Sequence, residues 1–330
     1  MKNKDPEAKE RIDLFTRDDI ERHPYFDPDG EDKNLFDAIK NDGLIVFYGA
    51  GVSMLAGCSG WIELAYNIID KLPETIYSLQ DREVLKEIAT IDPKKAITIC
   101  YHKAKTNKAA KDYFEIIRDS VTPKDKKEFA DIHSKIFDLN GIVYITSNID
   151  RGIEANENID IKGKKIVDLT CIDENYDPKQ DIKNGNIFYL HGTVDNIENT
   201  IFTVDSYIQF YSSNRTQAFL KEIFKGEYTV LFVGYSLSEY EILQNIFLAI
   251  NSKEDLVLYK HFLLVPIYSK DLAKFNIEKD YLKIFSVKAI PYFVDYEGYS
   301  RLKYVLDVLR KKIREYKPGV LSVFSEIDKV

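Results

Sequence analysis

The sequence predicts an α/β fold: a parallel sheet with helices on both faces and an inserted helical subdomain. Three observations predict it. Short apolar, β-branched or aromatic runs recur at 44–48, 142–145, 165–169, 187–190, 229–233, 262–266 and 287–291. Segments with helical spacing lie between them, and such alternation implies parallel strands covered on both sides. Residues 74–140 hold several helical segments and no convincing strand, the length of a subdomain inserted between the first two strands. Finally, four polar motifs each follow an apolar run: Gly49-Ala-Gly-Val-Ser53, Thr146-Ser-Asn-Ile-Asp150, Tyr189-Leu-His-Gly192 and Gly234-Tyr-Ser236. They therefore sit at the carboxyl ends of strands, where an open parallel sheet has its ligand crevice.

Taken in order, residues 1–34 form a polar arm containing His23-Pro24 and Asp27-Pro28, expected as irregular chain or a short helix packing on a partner. Leu35, Ala38 and Ile39 share one side of a helix over 35–40. The continuous apolar run Leu44-Ile-Val-Phe-Tyr48 suits a buried central strand. Over 61–72, Trp61, Leu64, Ala65, Ile68, Ile69 and Leu72 fall on one helical face. Further helices are expected over 205–211, 217–224 and 238–250. A final amphipathic helix over 299–314 aligns Leu302, Val305, Leu306, Leu309 and Ile313, and Pro318-Gly319 ends it. The main domain is expected to fill 35–315, leaving a tail over 316–330.

Composition narrows the function. The 330 residues are 45% hydrophobic and 30% charged, enough apolar content for a substantial core and not the profile of a disordered chain. A net charge of −8 argues against a protein that coats nucleic acid, so direct nucleic-acid binding is not expected. Cys58, Cys100 and Cys171 are far apart and form no C-x-x-C pair, so no zinc module and no metal is expected. Residues 1–17 lack the apolar core of a signal peptide, and no run approaches the roughly 20 apolar residues that span a bilayer. A soluble, cytoplasmic protein with no membrane contact is expected.

Gly49 and Gly51 allow close backbone approach, exposed N–H groups there can hold a pyrophosphate, and Ser53 adds a hydroxyl. The alternative is a bare strand–helix turn. The spacing is not the full G-x-G-x-x-G of a dehydrogenase, and no acidic residue after a second strand follows about 20 residues on, so hydride transfer is disfavoured.

With all four motifs considered together, the chain resembles the sirtuin-like NAD-binding domains, a Rossmann-like family, and in particular their prokaryotic branch in anti-phage defence. That branch pairs a G-A-G-V-S loop with a downstream Trp, here Gly49 through Trp61, although Gly57-Cys-Ser59 replaces the usual Gly-Leu-Pro. It has T-x-N-x-D followed by an acid, here Thr146 to Asp150 and then Glu154. It has a strand ending in His-Gly, here Phe188 to Gly192, followed by Phe202-Thr-Val-Asp-Ser-Tyr207. It has G-Y-S-L-x-D-x-x-I, here Gly234 to Ile242 with Glu239 in the place of Asp.

The resemblance implies cleavage of the nicotinamide–ribose bond of NAD, used as a substrate. The difficult part is an oxocarbenium-like ribose, as in other glycosyl transfers. Asn148 is the candidate for holding the ribose and orienting the nucleophile, or else an Asn bonding its own backbone. His191 is the candidate general base, or else a structural histidine; His23, His102, His133 and His261 have no such context. Gly49, Ala50, Gly51 and Ser53 line the pyrophosphate. Asp150 bonds the nicotinamide carboxamide or caps a following helix. Gly234 and Ser236 lie near the phosphates or adenosine ribose, with Ser236 alternatively a helix N-cap. Asp295 is a candidate on the adenine side. Without the paired cysteines of protein deacylases, water is the expected nucleophile, giving ADP-ribose and nicotinamide and depleting NAD in abortive infection. Two further readings are a silent NAD- or ADP-ribose-binding module and a deacylase. With little length for a sensor, control is expected from a homo-oligomer or a partner chain such as a HerA-type ATPase or an Argonaute-like protein.

Overall fold

In the computed structural model, which describes residues 15–316 apart from 158, 162, 174–175, 225–226, 238 and 250–258, the strand Leu44–Tyr48 (β1) lies mid-sheet with every residue buried. It pairs on one side with Val143–Thr146 (β2) and on the other with Thr229–Val233 (β5). Ile166–Asp168 (β3), Ile187–Tyr189 (β4), His261–Ile267 (β6) and Val287–Phe293 (β7) complete seven parallel strands in the order β3-β4-β2-β1-β5-β6-β7. The period-2 alternation of side chains sorts the core. Leu44, Val46 and Tyr48 point to one face, under Lys33–Lys40 (α2), Lys126–Phe137 (α8) and Arg301–Tyr316 (α14). Ile45 and Phe47 point to the other, under Val204–Ser212 (α10), Asn214–Phe224 (α11) and Tyr240–Ala249 (α12).

A third core belongs to the helices between β1 and β2. Trp61–Lys71 (α4), Leu79–Ile91 (α5), Pro93–Thr106 (α6) and Ala110–Val121 (α7) bury Leu64, Ile68, Leu85, Ile97, Cys100, Tyr113 and Ile117 together, closed by Ile149 and Ile197. Their boundaries are written locally: Ser78 and Asp81 form a capping box before α5, and Pro93 takes the first position of α6 behind its N-cap Asp92. The helical unit thus starts at Trp61, ahead of the expected residue 74, and α8, inside the expected 74–140, packs on the sheet. The short helices Arg17–Glu21 (α1), Ala50–Met54 (α3) and Lys179–Lys183 (α9), and Leu272–Lys283 (α13), complete the set. Of α13 only Phe275 is buried, which explains why it shows no apolar stripe in the sequence.

The described part of the N-terminal arm packs on its own chain. Ile20, Tyr25 and Phe26 are buried, and Arg301 donates to the Ile20 carbonyl and the Tyr25 hydroxyl. Lys288 donates to Asp32 at 2.7 Å. Residues 1–14, the tail from 317 and Pro318-Gly319 lie outside the described residues. No helix among the described residues is long and apolar enough to cross a membrane.

The chain leaves β1 toward β2 on one flank, while β5 occupies the other, so the topological switch falls between β1 and β5. There the two turns meet backbone to backbone. The Gly49 N–H donates to Val233 O at 3.0 Å and the Gly51 N–H to Gly234 O at 2.8 Å. Gly234 has φ +59°, and a Cβ on it would stand 2.7 Å from the Val52 nitrogen; a Cβ on Gly51 would meet Gly234 O at 2.9 Å. Gly234→Ala combines a left-handed backbone penalty with a clash that only backbone movement relieves. It should cost about 2 kcal/mol or more in urea denaturation; an unchanged midpoint would refute the close approach.

Candidate functional site

Register brings the four motifs to one level. Tyr48 is opposite Thr146 and Val233, and Thr146 is opposite Tyr189. Gly49, Asn148, His191 and Gly234 follow these residues by one or two positions. The loops are tied together as well: Leu190 N–H donates to Thr146 O at 2.9 Å and Val194 N–H to Ile149 O at 2.8 Å.

Asn148 is buried, and its side chain does not bond its own backbone. Its Nδ2 donates to Gly49 O at 3.1 Å and to Ser53 Oγ at 2.9 Å, so the carboxamide clasps the glycine loop. Ser53 in turn hydrogen-bonds the Asp150 carboxyl. No helix follows Asp150 directly, so it caps none. Burial pushes the Asp150 carboxyl up to about 7; the Ser53 hydrogen bond opposes this and nearby Glu154 adds to it. His133 Nε2 lies 3.9 Å from Asp150 Oδ1, but this is no ion pair: burial drives His133 down to about 4, with its Nδ1 held 2.8 Å from Phe129 O. Between those values both groups are neutral. His133 Nε2, Asp150 Oδ1, Glu154 Oε2 and the Tyr48 hydroxyl are all buried without a hydrogen-bond partner.

The glycine loop differs from its expectation in one respect. The N–H groups of Gly49 and Gly51 are not exposed for a phosphate, because both are donated to the β5 strand end and its turn. The glycines serve the backbone approach itself. Ala50 is half-buried at the start of α3.

His191 is 2% exposed and sits in a cluster the sequence did not announce. Its Nε2 is 3.0 Å from the Tyr211 hydroxyl, and its Nδ1 is 3.4 Å from that of Tyr207. Glu239 accepts from Tyr235 at 2.7 Å, from Tyr211 at 2.8 Å and from Tyr207 at 3.3 Å. Lys94 reaches over from α6, with Nζ 3.6 Å from Glu239 Oε1 and 3.8 Å from the centre of the Tyr207 ring. Burial lowers the His191 pKa; Glu239 opposes this, Lys94 adds to it and a backbone hydrogen bond at Ser147 opposes it. Burial pushes Glu239 up, but His191, Lys94 and the hydroxyls of Tyr235 and Tyr211 outweigh it, leaving its carboxyl below the usual range and ionised. The three phenols are held far above their ordinary value by burial and then by Glu239, so all remain donors.

Ser236 is exposed on the loop after Gly234. Asp295 is occupied elsewhere: it accepts from the backbone N–H of Ser269, at 3.0 Å, and from its hydroxyl, at 2.6 Å. The residues missed in the sequence are Lys94, Tyr207, Tyr211 and Tyr235. The spacing of Tyr207 and Tyr211 by one helical turn was the available signal. Among the described residues, no three His, Cys, Asp or Glu side chains are grouped to hold a metal.

The Asp150 shift has a signed consequence. Its folded value lies above the unfolded one, near 4, so the stability it contributes at low pH is lost as pH rises through about 7. Asp150→Asn cannot ionise and should gain on wild type over that window, by at most about 4 kcal/mol. Urea denaturation at pH 5 and pH 8 measures it; a difference that fails to widen with pH contradicts the neutral carboxyl.

Residues 142–290 match the SIR2-like domain family. The chain is also similar to the NAD(+) hydrolase ThsA of Enterococcus faecium, with 24% identity over 304 residues, covering 85% of this chain and 58% of that protein. It therefore spans little more than half the length of the curated relative it matches. The family match takes in Asn148, Asp150, His191, Gly234 and Ser236, the residues that β2, β4 and β5 deliver to the switch point.

Proposed function

We propose that this chain hydrolyses NAD to nicotinamide and ADP-ribose, with Asn148 and His191 as the catalytic pair. One observation carries the reading: Asn148 and His191 leave adjacent parallel strands at the same level, beside the β1–β5 switch point. The similarity to an NAD(+) hydrolase supports it.

The chemistry asks little of the leaving group. The C1′–N bond breaks with its electron pair passing to nicotinamide, which departs neutral, and a water oxygen bonds to C1′. That water gives up its proton to His191. Tyr211 and Tyr207 both donate to Glu239, and their oxygens face Nε2 and Nδ1 of His191. The unprotonated ring nitrogen receives the proton. The Asn148 carboxamide orients the ribose hydroxyls and the water. The buried, neutral Asp150 suits the uncharged nicotinamide carboxamide, as a carboxyl that can donate as well as accept. Ala50, Gly234 and Ser236 take the dinucleotide's phosphate and adenosine side, on a loop that Gly49 and Gly51 shape through their backbone contacts with the β5 turn and that Ser53 ties to Asn148.

His191 and Asn148 are both buried in this state, which supports a closed resting form that opens on activation. We assign that opening to self-assembly or to a partner chain, in a cell that spends its NAD to stop a phage.

Purified chain incubated with NAD, with and without an acylated peptide, tests the reading. Nicotinamide and ADP-ribose should appear without peptide. His191→Ala and Asn148→Ala should each lower kcat at least about 100-fold. Peptide-dependent turnover would favour a deacylase, and tight NAD binding without turnover in any assembly state would favour a binding module.

A further inference from the structure

We propose that Glu239 is a positioning residue for His191, acting through the Tyr211 hydroxyl. The proposal rests on the reading of His191 as the base for NAD cleavage. The two side chains are joined by two hydrogen bonds, 3.0 Å from His191 Nε2 to the Tyr211 oxygen and 2.8 Å from that hydroxyl to Glu239 Oε2. An ionised carboxylate only accepts, so the Tyr211 proton points at Glu239 and the Tyr211 oxygen faces the ring as an acceptor. Tyr207 stands in the same relation to Nδ1, 3.4 Å from it and 3.3 Å from Glu239 Oε1. When the ring gains a proton, the new positive charge is one phenol away from a buried negative one.

The surroundings fit a carboxylate held for this purpose. Glu239 is 8% exposed, and a buried carboxylate is costly unless its oxygens are bonded. Here Tyr235 and Tyr211 share Oε2, while Tyr207 and Lys94 share Oε1. The groups acting on His191 come from four directions. Lys94 is on α6, Tyr207 and Tyr211 are on α10, Glu239 precedes α12, and the Ser147 backbone follows β2. Tyr235, after β5, and Glu241, on α12, reach the ring only through the cluster. Glu239 raises the affinity of His191 for a proton, and Lys94 lowers it. Their removal must therefore act in opposite directions, which loss of packing would not do.

Ring nitrogen NMR of the full chain, titrated in wild type, Glu239→Gln, Tyr211→Phe and Lys94→Met, tests this, with NAD cleavage followed over the same pH range. In Glu239→Gln the His191 midpoint should fall by about 1 pH unit, and the acidic limb of the cleavage profile should move down with it. Tyr211→Phe should lower the midpoint less. Lys94→Met should raise the midpoint. An unmoved midpoint in folded Glu239→Gln, or a shift of the same sign in Lys94→Met, overturns the proposal. If Glu239→Gln does not fold, Tyr211→Phe decides: an unchanged midpoint overturns the proposal. Should the midpoints move as expected while wild type leaves NAD intact, the cleavage reading fails and the positioning of the imidazole by Glu239 stands.

Discussion

The site depends on two turns being able to touch. At the β1–β5 boundary the backbone of residues 49–51 lies directly against that of Gly234, with no side chain between them. This contact draws the Gly49 carbonyl and the Ser53 hydroxyl inward to where Asn148 reaches both. A bulkier residue at either turn would separate β1 from β5 at their carboxyl ends and leave the Asn148 amide with nothing to hold. The seven-strand register then has a chemical consequence, because parallel strands ending level deliver a carboxamide and a carboxyl after β2 and an imidazole after β4.

The two halves of the site solve the burial of polar groups differently. Around Asp150 the solution is neutrality: the carboxyl keeps its proton and His133 lacks one, so neither of these two facing groups is charged at pH 5 to 6. Around His191 the solution is compensation, with Glu239 left ionised under three phenols and an ammonium group. The first arrangement suits contact with an uncharged amide. The second suits a base that must hold a proton briefly, since the opposing charge is already in place before the proton arrives.

Much of this was legible in the sequence. Continuous apolar runs marked the strands, since a strand buried on both faces needs no polar alternation, and β5 at Thr229–Val233 matches its run residue for residue. The motifs were legible because each stands where such a run stops. Helix α13 was not, because Phe275 alone gives it an inward face. The insertion's limits were blurred because α8 is amphipathic like its neighbours, yet its Ile132 and Ile136 turn toward the sheet. The shell around His191 was hidden for another reason. Tyr207, Tyr235 and Glu239 stand inside the motifs, but the sequence does not show that they meet, and Tyr211 and Lys94 lie outside them. Their common contact with Glu239 becomes visible only when four elements converge.

One neighbour of that shell has a use of its own. Trp61 is the chain's single tryptophan, at the first turn of the helical unit, 6.2 Å from the Tyr207 ring and 5.2 Å from the Lys94 ammonium. Its indole therefore straddles the seam between the helical unit and the sheet. Any movement at that seam changes the ring's polarity and quenching, so the molecule carries an intrinsic optical reporter of the contact between its helical unit and its sheet.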